Sequence, residues 1–381
     1  MAENPTARRY DGIDVLRGIS ILAVLVHHIH LRLMFNHVSF EKMLPAWLPR
    51  ILFWNGANGV TVFFAISGFL ITSMSLRRWG SLGAISLRDF YRLRFARIAP
   101  LLIALLVVLS GLHLGRVQGF VIPAERASLA RAIVAALTFH VNWLEAARGY
   151  LPGSWDVLWS LSVEEVFYLV FPMLCWVTRG GKWLIVLLGA VVATGPFARV
   201  FTHNELWADY GYLSCMDGIA LGCLAALVAP QVRERVLTLR CMRVLGILLI
   251  ALVLLCKPWV RAMHIYQTGL DFTLLALGTS LLLVPIAAAN RNGRWPSSPL
   301  RWMGRNSYEI YLTHMFVIMF GVQIFLARKW TVAKAPAYSL LLLILCVLLG
   351  AAVARWFSEP LNRRLRSKRS RVPEQALRRP A

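Results

Sequence analysis

IDVLRGISILAVLVHHI, residues 13–29, is apolar except for Asp14, Arg17, Ser20 and the pair His27-His28. About 20 apolar residues in helical form cross the hydrocarbon core of a bilayer, so this run and its extension to residue 35 read as a membrane-spanning helix. Arg8 and Arg9 precede it as they would a secretory signal, but the apolar stretch is too long and no small-residue cleavage site follows. The segment is therefore expected to stay attached as the first span. His28 lies eleven positions after Arg17, almost three whole turns, which places guanidinium and imidazole on one stripe of the helix about 16 Å apart. Asp14 shares that stripe one turn before Arg17, whereas His27 points about 80° away from it. An ionisable ring this deep in hydrocarbon is costly and marks a functional site. A neutral imidazole there is suited to general-base work.

The rest of the chain extends this reading. With 58% apolar residues and 14 Trp in 381 residues and a mean hydropathy of +0.61, the composition excludes a soluble globular protein. Apolar stretches long enough to span lie near 15–35, 58–76, 98–115, 158–178, 183–201, 211–229, 242–258, 270–289, 307–327 and 338–357. The fold class expected is an all-α polytopic bundle of about ten transmembrane helices. An eleventh candidate, LARAIVAALTFHVNWL at 129–144, is shorter and carries Arg131; it is expected to be a partly re-entrant external segment. Charge decides between the counts: ten spans with both termini cytoplasmic put more than twice as many Lys and Arg inside as outside, and eleven reverse that excess. Residues 1–361 then form one membrane domain, and 362–381 a basic cytoplasmic tail without fixed structure. The formal charge of +23 sits mostly in short loops and in this tail, so membrane lipids with anionic headgroups, not nucleic acid, are its expected neighbours. Six cysteines show no CxxC spacing, and neither disulfide nor metal is expected.

Three further constellations carry chemistry. WSLSVEEVFYLVFP at 159–172 brings Ser160, Ser162, Glu164 and Glu165 into a span. Capping accounts for the serines and one carboxylate but not for two carboxylates entering the bilayer. Glu164 lies about 9 Å inside the outer boundary and His28 about 10 Å, so a carboxylate is expected to orient the imidazole. In RRWGSLGAISLRDFYRLRFARIAP at 77–100, Arg94 and Arg97 are spaced to face a single anion, ahead of a span. Arginine is the side chain best built for bidentate phosphate recognition, so a cytoplasmic polyphosphate ligand is implied. NSYEIYLTHMFVI at 306–318 supplies His314, another membrane histidine. Ser67-Gly68 in VFFAISGFLIT suggests close helix packing, Asp217 is expected to pair with an arginine such as Arg199, and Glu359 to cap or salt-bridge at the membrane face.

Taken in this order, YDGIDVLRGISILAVLVHH, VFFAISGFLIT, the Arg94-x-x-Arg97 pair before Ile98-Ala99-Pro100, WSLSVEEVFYLVFP and NSYEIYLTHMFV resemble the integral-membrane acyltransferase 3 family over about residues 10–365. The sequence departs from that pattern at Cys215-Met216, ahead of Asp217, where many relatives carry an arginine. The resemblance implies an O-acyltransferase of a bacterial cytoplasmic (inner) membrane. Such an enzyme takes an acyl group, commonly acetyl, from acyl-CoA as co-substrate and delivers it to a hydroxyl of a glycan or lipid-linked acceptor. Arg17 with His28 matches the family's Arg-x10-His signature and Arg94 with Arg97 its Arg-x-x-Arg signature. Catalysis is then expected at His28, with Glu164 and Glu165. Binding of CoA or acceptor is expected at Asp14, Arg17, Arg94, Arg97, Ser160, Ser162 and His314, with no permanently bound cofactor. The competing reading, a transporter or flippase with His28 and Glu164 as proton relay, lacks the paired halves such proteins usually show.

Overall fold

A computed structural model describes residues 10–256, 268–289 and 298–367, with positions 260, 263 and 265. Among the described residues every regular element is helical. Ten helical segments are long and apolar enough to cross a membrane, each overlapping one expected from the sequence. The first is α1 (Asp11–Phe35); α2 (Trp47–Leu52) leads into α3 (Gly56–Trp79), and α4 spans Leu87–Leu114. Two short helices follow, α5 (Leu129–Leu137) and α6 (Val141–Arg148). Then α7 (Gly153–Asp156) continues into α8 (Leu158–Val177), and α9 covers Lys182–Phe201. α10 (Glu205–Tyr210) precedes α11 (Tyr212–Val232), α12 (Val236–Leu255) and α13 (Leu270–Ala289). The chain closes with α14 (Ser298–Arg305), α15 (Ser307–Ala327), α16 (Ala335–Val353) and, after one π-helical turn, α17 (Glu359–Ser367).

The segment 129–144 does not cross. The nine residues of α5 rise only about 14 Å, and Ala132, Ala135 and Ala136 tuck against the bundle while Val134 and Leu137 stay exposed. At the other end, α17 extends helix through Ser367 and packs on α4, so the first residues of the stretch expected to be an unstructured tail are helical; positions 368–381 lie outside the described residues. Glu359 makes the surface salt bridge expected of it, with Arg363 at 2.9 Å.

Burial sorts the spans into centre and rim. Two-thirds (67%) of the most apolar stretch is buried in the α2–α3 and α7–α8 spans, against 17% in α9 and 11% in α12. The outer faces of α9 and α12 carry exposed leucines, valines and aromatics that suit lipid tails. At the centre, α3 and α11 meet backbone to backbone. A Cβ on Gly68 would stand 1.9 Å from the Ile219 carbonyl oxygen, and one on Gly222 would stand 2.0 Å from that of Ala65, which is the close packing expected of Ser67-Gly68.

Polar side chains lock the remaining geometry. Arg199 of α9 meets Asp217 of α11 in a forked pair, with Nη2 donating to Oδ2 at 2.8 Å and Nη1 to Oδ1 at 3.3 Å. Thr273 of α13 accepts from Arg199 and donates to Asp217, both at 2.5 Å. Arg199 Nε donates to the Gly269 carbonyl at 2.7 Å, and Nη1 also donates to that of Ser214. Both charges are therefore saturated, and three helices are pinned by one pair. Near the chain start, Asp11 receives Arg301 at 2.9 Å and Asp14 receives Arg305 at 3.3 Å, docking α14 onto α1. All six cysteines are free.

Breaking one side of the Arg199–Asp217 pair strands a buried charge, which costs about 3–5 kcal/mol. Arg199→Met is expected to lower the melting temperature of detergent-purified protein steeply, and Arg199→Met with Asp217→Leu to recover part of the loss. Equal melting of the wild type and the single variant would contradict this.

Candidate active site

The site begins with two imidazoles on neighbouring helices. His28 of α1 and His314 of α15 approach to 3.0 Å between Nδ1 of the first and Nε2 of the second. His314 Nδ1 lies 2.5 Å from the Tyr311 carbonyl oxygen. A carbonyl only accepts, so His314 carries its proton on Nδ1 and offers Nε2 as an acceptor; His28 must then donate from Nδ1. The consequence is specific: His28 Nε2 is left with a bare lone pair. His314 is fully buried, so the ring that orients His28 is itself fixed. His27 faces elsewhere, with Nδ1 2.6 Å from the Phe53 carbonyl and its ring beside Trp54.

The depth argument pointed to Glu164 or Glu165 as the orienting group, and the structure assigns that part to His314. Depth along a helix leaves azimuth undetermined: Glu164 faces the Ser67 hydroxyl of α3 and the charges of Arg94, Arg17 and Arg97. Among the described residues neither carboxylate touches His28. Ser162 also departs from expectation. Its hydroxyl accepts from the Val141 amide at 3.2 Å and donates to the Leu158 carbonyl at 3.1 Å, holding α6 against α8. Asp14 serves the α1–α14 contact described above.

Between the imidazoles and the carboxylates stands Tyr311, three residues before His314. Its hydroxyl donates to the Val157 carbonyl at 3.1 Å and pairs with Ser160 Oγ at 2.7 Å. One turn beyond Ser160 comes Glu164, then Tyr168, whose hydroxyl bonds Ser67. Here the arginines gather. The Arg94 guanidinium lies over the Tyr168 ring at 4.4 Å and that of Arg97 over Tyr308 at 5.8 Å, while Arg17 Nη2 donates to Ser307 Oγ at 2.8 Å. Glu165 and Glu309 complete the cluster, and Arg366 of α17 faces Arg97, Arg94 and, on α3, Arg78. Several like charges converging with fewer carboxylates favour a polyanion. Of the other arginines in this segment, Arg92 pairs with Asp89 at 3.4 Å near the surface. Among the described residues no cluster of His, Cys, Asp and Glu is arranged to hold a metal ion.

On the far side of His28 from the arginines lies a group the sequence did not reveal. Glu145 of α6 and Asp156 of α7 face one another, with Arg32 of α1 and Tyr210 of α10 beside Asp156. Burial and the adjacent Asp156 hold the Glu145 carboxyl well above its ordinary value of 4.5. It also accepts the Leu151 amide at 3.0 Å.

The comparisons with known proteins fit this geometry. The acyltransferase domain model of the acyltransferase 3 family matches residues 10–355. The chain belongs to that family. Over 334 residues it is 26% identical to the peptidoglycan O-acetyltransferase OatA of Listeria monocytogenes, a match covering 82% of this chain and 50% of OatA. It is also 26% identical to the putative peptidoglycan O-acetyltransferase YrhL of Bacillus subtilis, over 83% of this chain and 50% of that protein. A putative O-acetyltransferase of Staphylococcus aureus strain COL matches at 26% as well, over 82% of this chain and 51% of its own. The chain thus spans about half the length of these curated relatives. No solved structure matches it.

A carboxyl held neutral in the fold but ionised when unfolded makes stability fall as pH rises above 4.5, until the raised value is passed. Glu145→Gln removes that contribution. Its unfolding free energy between pH 5 and pH 8 is expected to decline less steeply than the wild type's, by up to about 1.4 kcal/mol per pH unit while the group titrates, and its melting temperature to follow. Parallel melting curves would refute the assignment.

Proposed function

We propose that this acyltransferase-family protein is a membrane O-acetyltransferase that draws acetyl groups from acetyl-CoA and esterifies a hydroxyl of a glycan. The observation that carries the reading is His28, with Nδ1 committed to His314 and Nε2 bare. In this reading the face bearing both termini is cytoplasmic, in keeping with the excess of Lys and Arg there, and the membrane is the inner membrane of a bacterium. The phosphates of CoA rest among Arg17, Arg94 and Arg97. The thioester arm runs past Glu164, Ser160 and Tyr311 toward His28, about 16 Å along α1 from Arg17.

The chemistry follows from the free nitrogen. His28 Nε2 takes the proton of the acceptor hydroxyl as its oxygen attacks the thioester carbonyl; the carbon–sulfur bond breaks and the departing thiolate recovers the proton. His314 holds the ring in the tautomer this requires. The peptidoglycan named in the relatives' titles makes a cell-wall glycan the first acceptor to try.

Purified protein in lipid nanodiscs, given acetyl-labelled acetyl-CoA and cell-wall oligosaccharides, is expected to form an alkali-labile acetyl ester. His28→Ala should reduce transfer by about 10²–10⁴-fold with folding intact, and Arg94→Ala with Arg97→Ala should raise KM for acetyl-CoA more than it lowers kcat. Near-normal turnover by His28→Ala would remove the base assignment. Passage of the oligosaccharide across the membrane without modification would make the protein a transporter instead.

A further inference from the structure

Arg32 stands one turn beyond His28 on α1. Its guanidinium lies 5.7 Å from the centroid of the Phe35 ring, and its charge acts on both His28 and His314. The side chain passes against Gly153, where a Cβ would lie 1.9 Å from Nη2 and 2.5 Å from Cζ; any other residue would close this passage. Arg32 Nε is buried without a hydrogen-bond partner, and among the described residues the guanidinium makes no hydrogen bond and no direct ion pair. The leading opposite charge is Asp156. That carboxyl also faces Glu145 and Tyr210, and Asp156 Oδ1 and Glu145 Oε2 are both buried without a hydrogen-bond partner. A guanidinium with a buried, unpartnered Nε, its charge reaching the histidine pair, is costly unless an anion visits it.

We propose that Arg32 is a further catalytic residue, binding the acyl carbonyl oxygen and stabilising the negative charge it carries in the tetrahedral intermediate, with Asp156 and Glu145 as positioning residues. The proposal rests on the acyl-transfer reading above. As the acceptor oxygen bonds to the acyl carbon and its proton passes to His28 Nε2, the carbonyl π pair moves onto oxygen, facing Arg32. When that pair returns, the carbon–sulfur bond breaks and the thiolate takes the proton from Nε2. A donor aimed at the developing oxyanion, in a site without bulk water, acts on the transition state more than on bound substrate.

The test uses the full chain in nanodiscs with acetyl-CoA and the acceptor that the wild type modifies. Arg32→Ala is expected to lose about 10²–10³-fold in kcat, with KM for acetyl-CoA changed by no more than about twofold. Millimolar methylguanidine should restore part of the rate, which it cannot do for a residue that serves only packing. Arg32→Lys should retain more activity than Arg32→Ala, and Asp156→Asn should lower kcat while leaving methylguanidine without effect. A loss confined to KM, or a loss in Arg32→Ala that methylguanidine leaves untouched, overturns the proposal. If the wild type modifies no acceptor, the functional reading fails on its own, and methylphosphonate, a tetrahedral oxyanion, decides the site separately. A rise in melting temperature with wild type that is absent in Arg32→Ala supports an oxyanion site; no rise with either overturns it.

Discussion

Hydrocarbon offers no hydrogen bonds, so a polar side chain that enters the bundle is costly until a partner within the protein meets it, and the partners that matter most here lie on other helices. That constraint orders the whole structure. Apolar surface alone would let spans slide and rotate against one another, since lipid tails are as apolar as leucine. Arg199 with Asp217 and Thr273 fixes α9, α11 and α13; Asp11 and Asp14 with Arg301 and Arg305 fix α14 on α1; Ser160 with Tyr311 and His28 with His314 fix α15 against α8 and α1. The glycine contact of α3 and α11 is the exception, where backbone proximity does the locating.

The same constraint divides the site into regions of different chemistry. Guanidinium and carboxylate groups gather around Arg94, Arg97 and Glu164, where α17 brings a further arginine. Neutral imidazoles occupy the middle, and Arg32 with Asp156 and Glu145 lies beyond them. A pair of hydroxyls, Tyr311 and Ser160, stands between the charged region and the imidazoles.

Much of this was legible in the residues. The ten spans follow from lengths of apolar sequence, and the exclusion of 129–144 from charge balance agrees with a helix too short to cross. Asp217 found Arg199 because a buried carboxylate has few candidate cations. What failed was angular. His28 and Glu164 sit at similar depth, but a helix presents a side chain in one direction only, and tertiary packing sets which neighbour occupies it. Ser162 sits within a conspicuous motif, yet its hydroxyl serves the backbone. Arg32, Glu145 and Asp156 escaped notice for the opposite reason: one is an unremarked arginine after the histidines, and the others precede the motif in stretches that read as loop.

One consequence concerns α15. Ser307, Tyr311 and His314 occupy successive turns of a single face, and their bonds reach two other helices: Ser307 to Arg17 and His314 to His28, both of α1, and Tyr311 to Ser160 of α8. Because a helix is stiff in torsion, these three bonds share one angular coordinate. Twisting α15 would sever all of them together, so the helix behaves as a three-toothed key whose wards are cut by two separate helices, seated wholly or not at all.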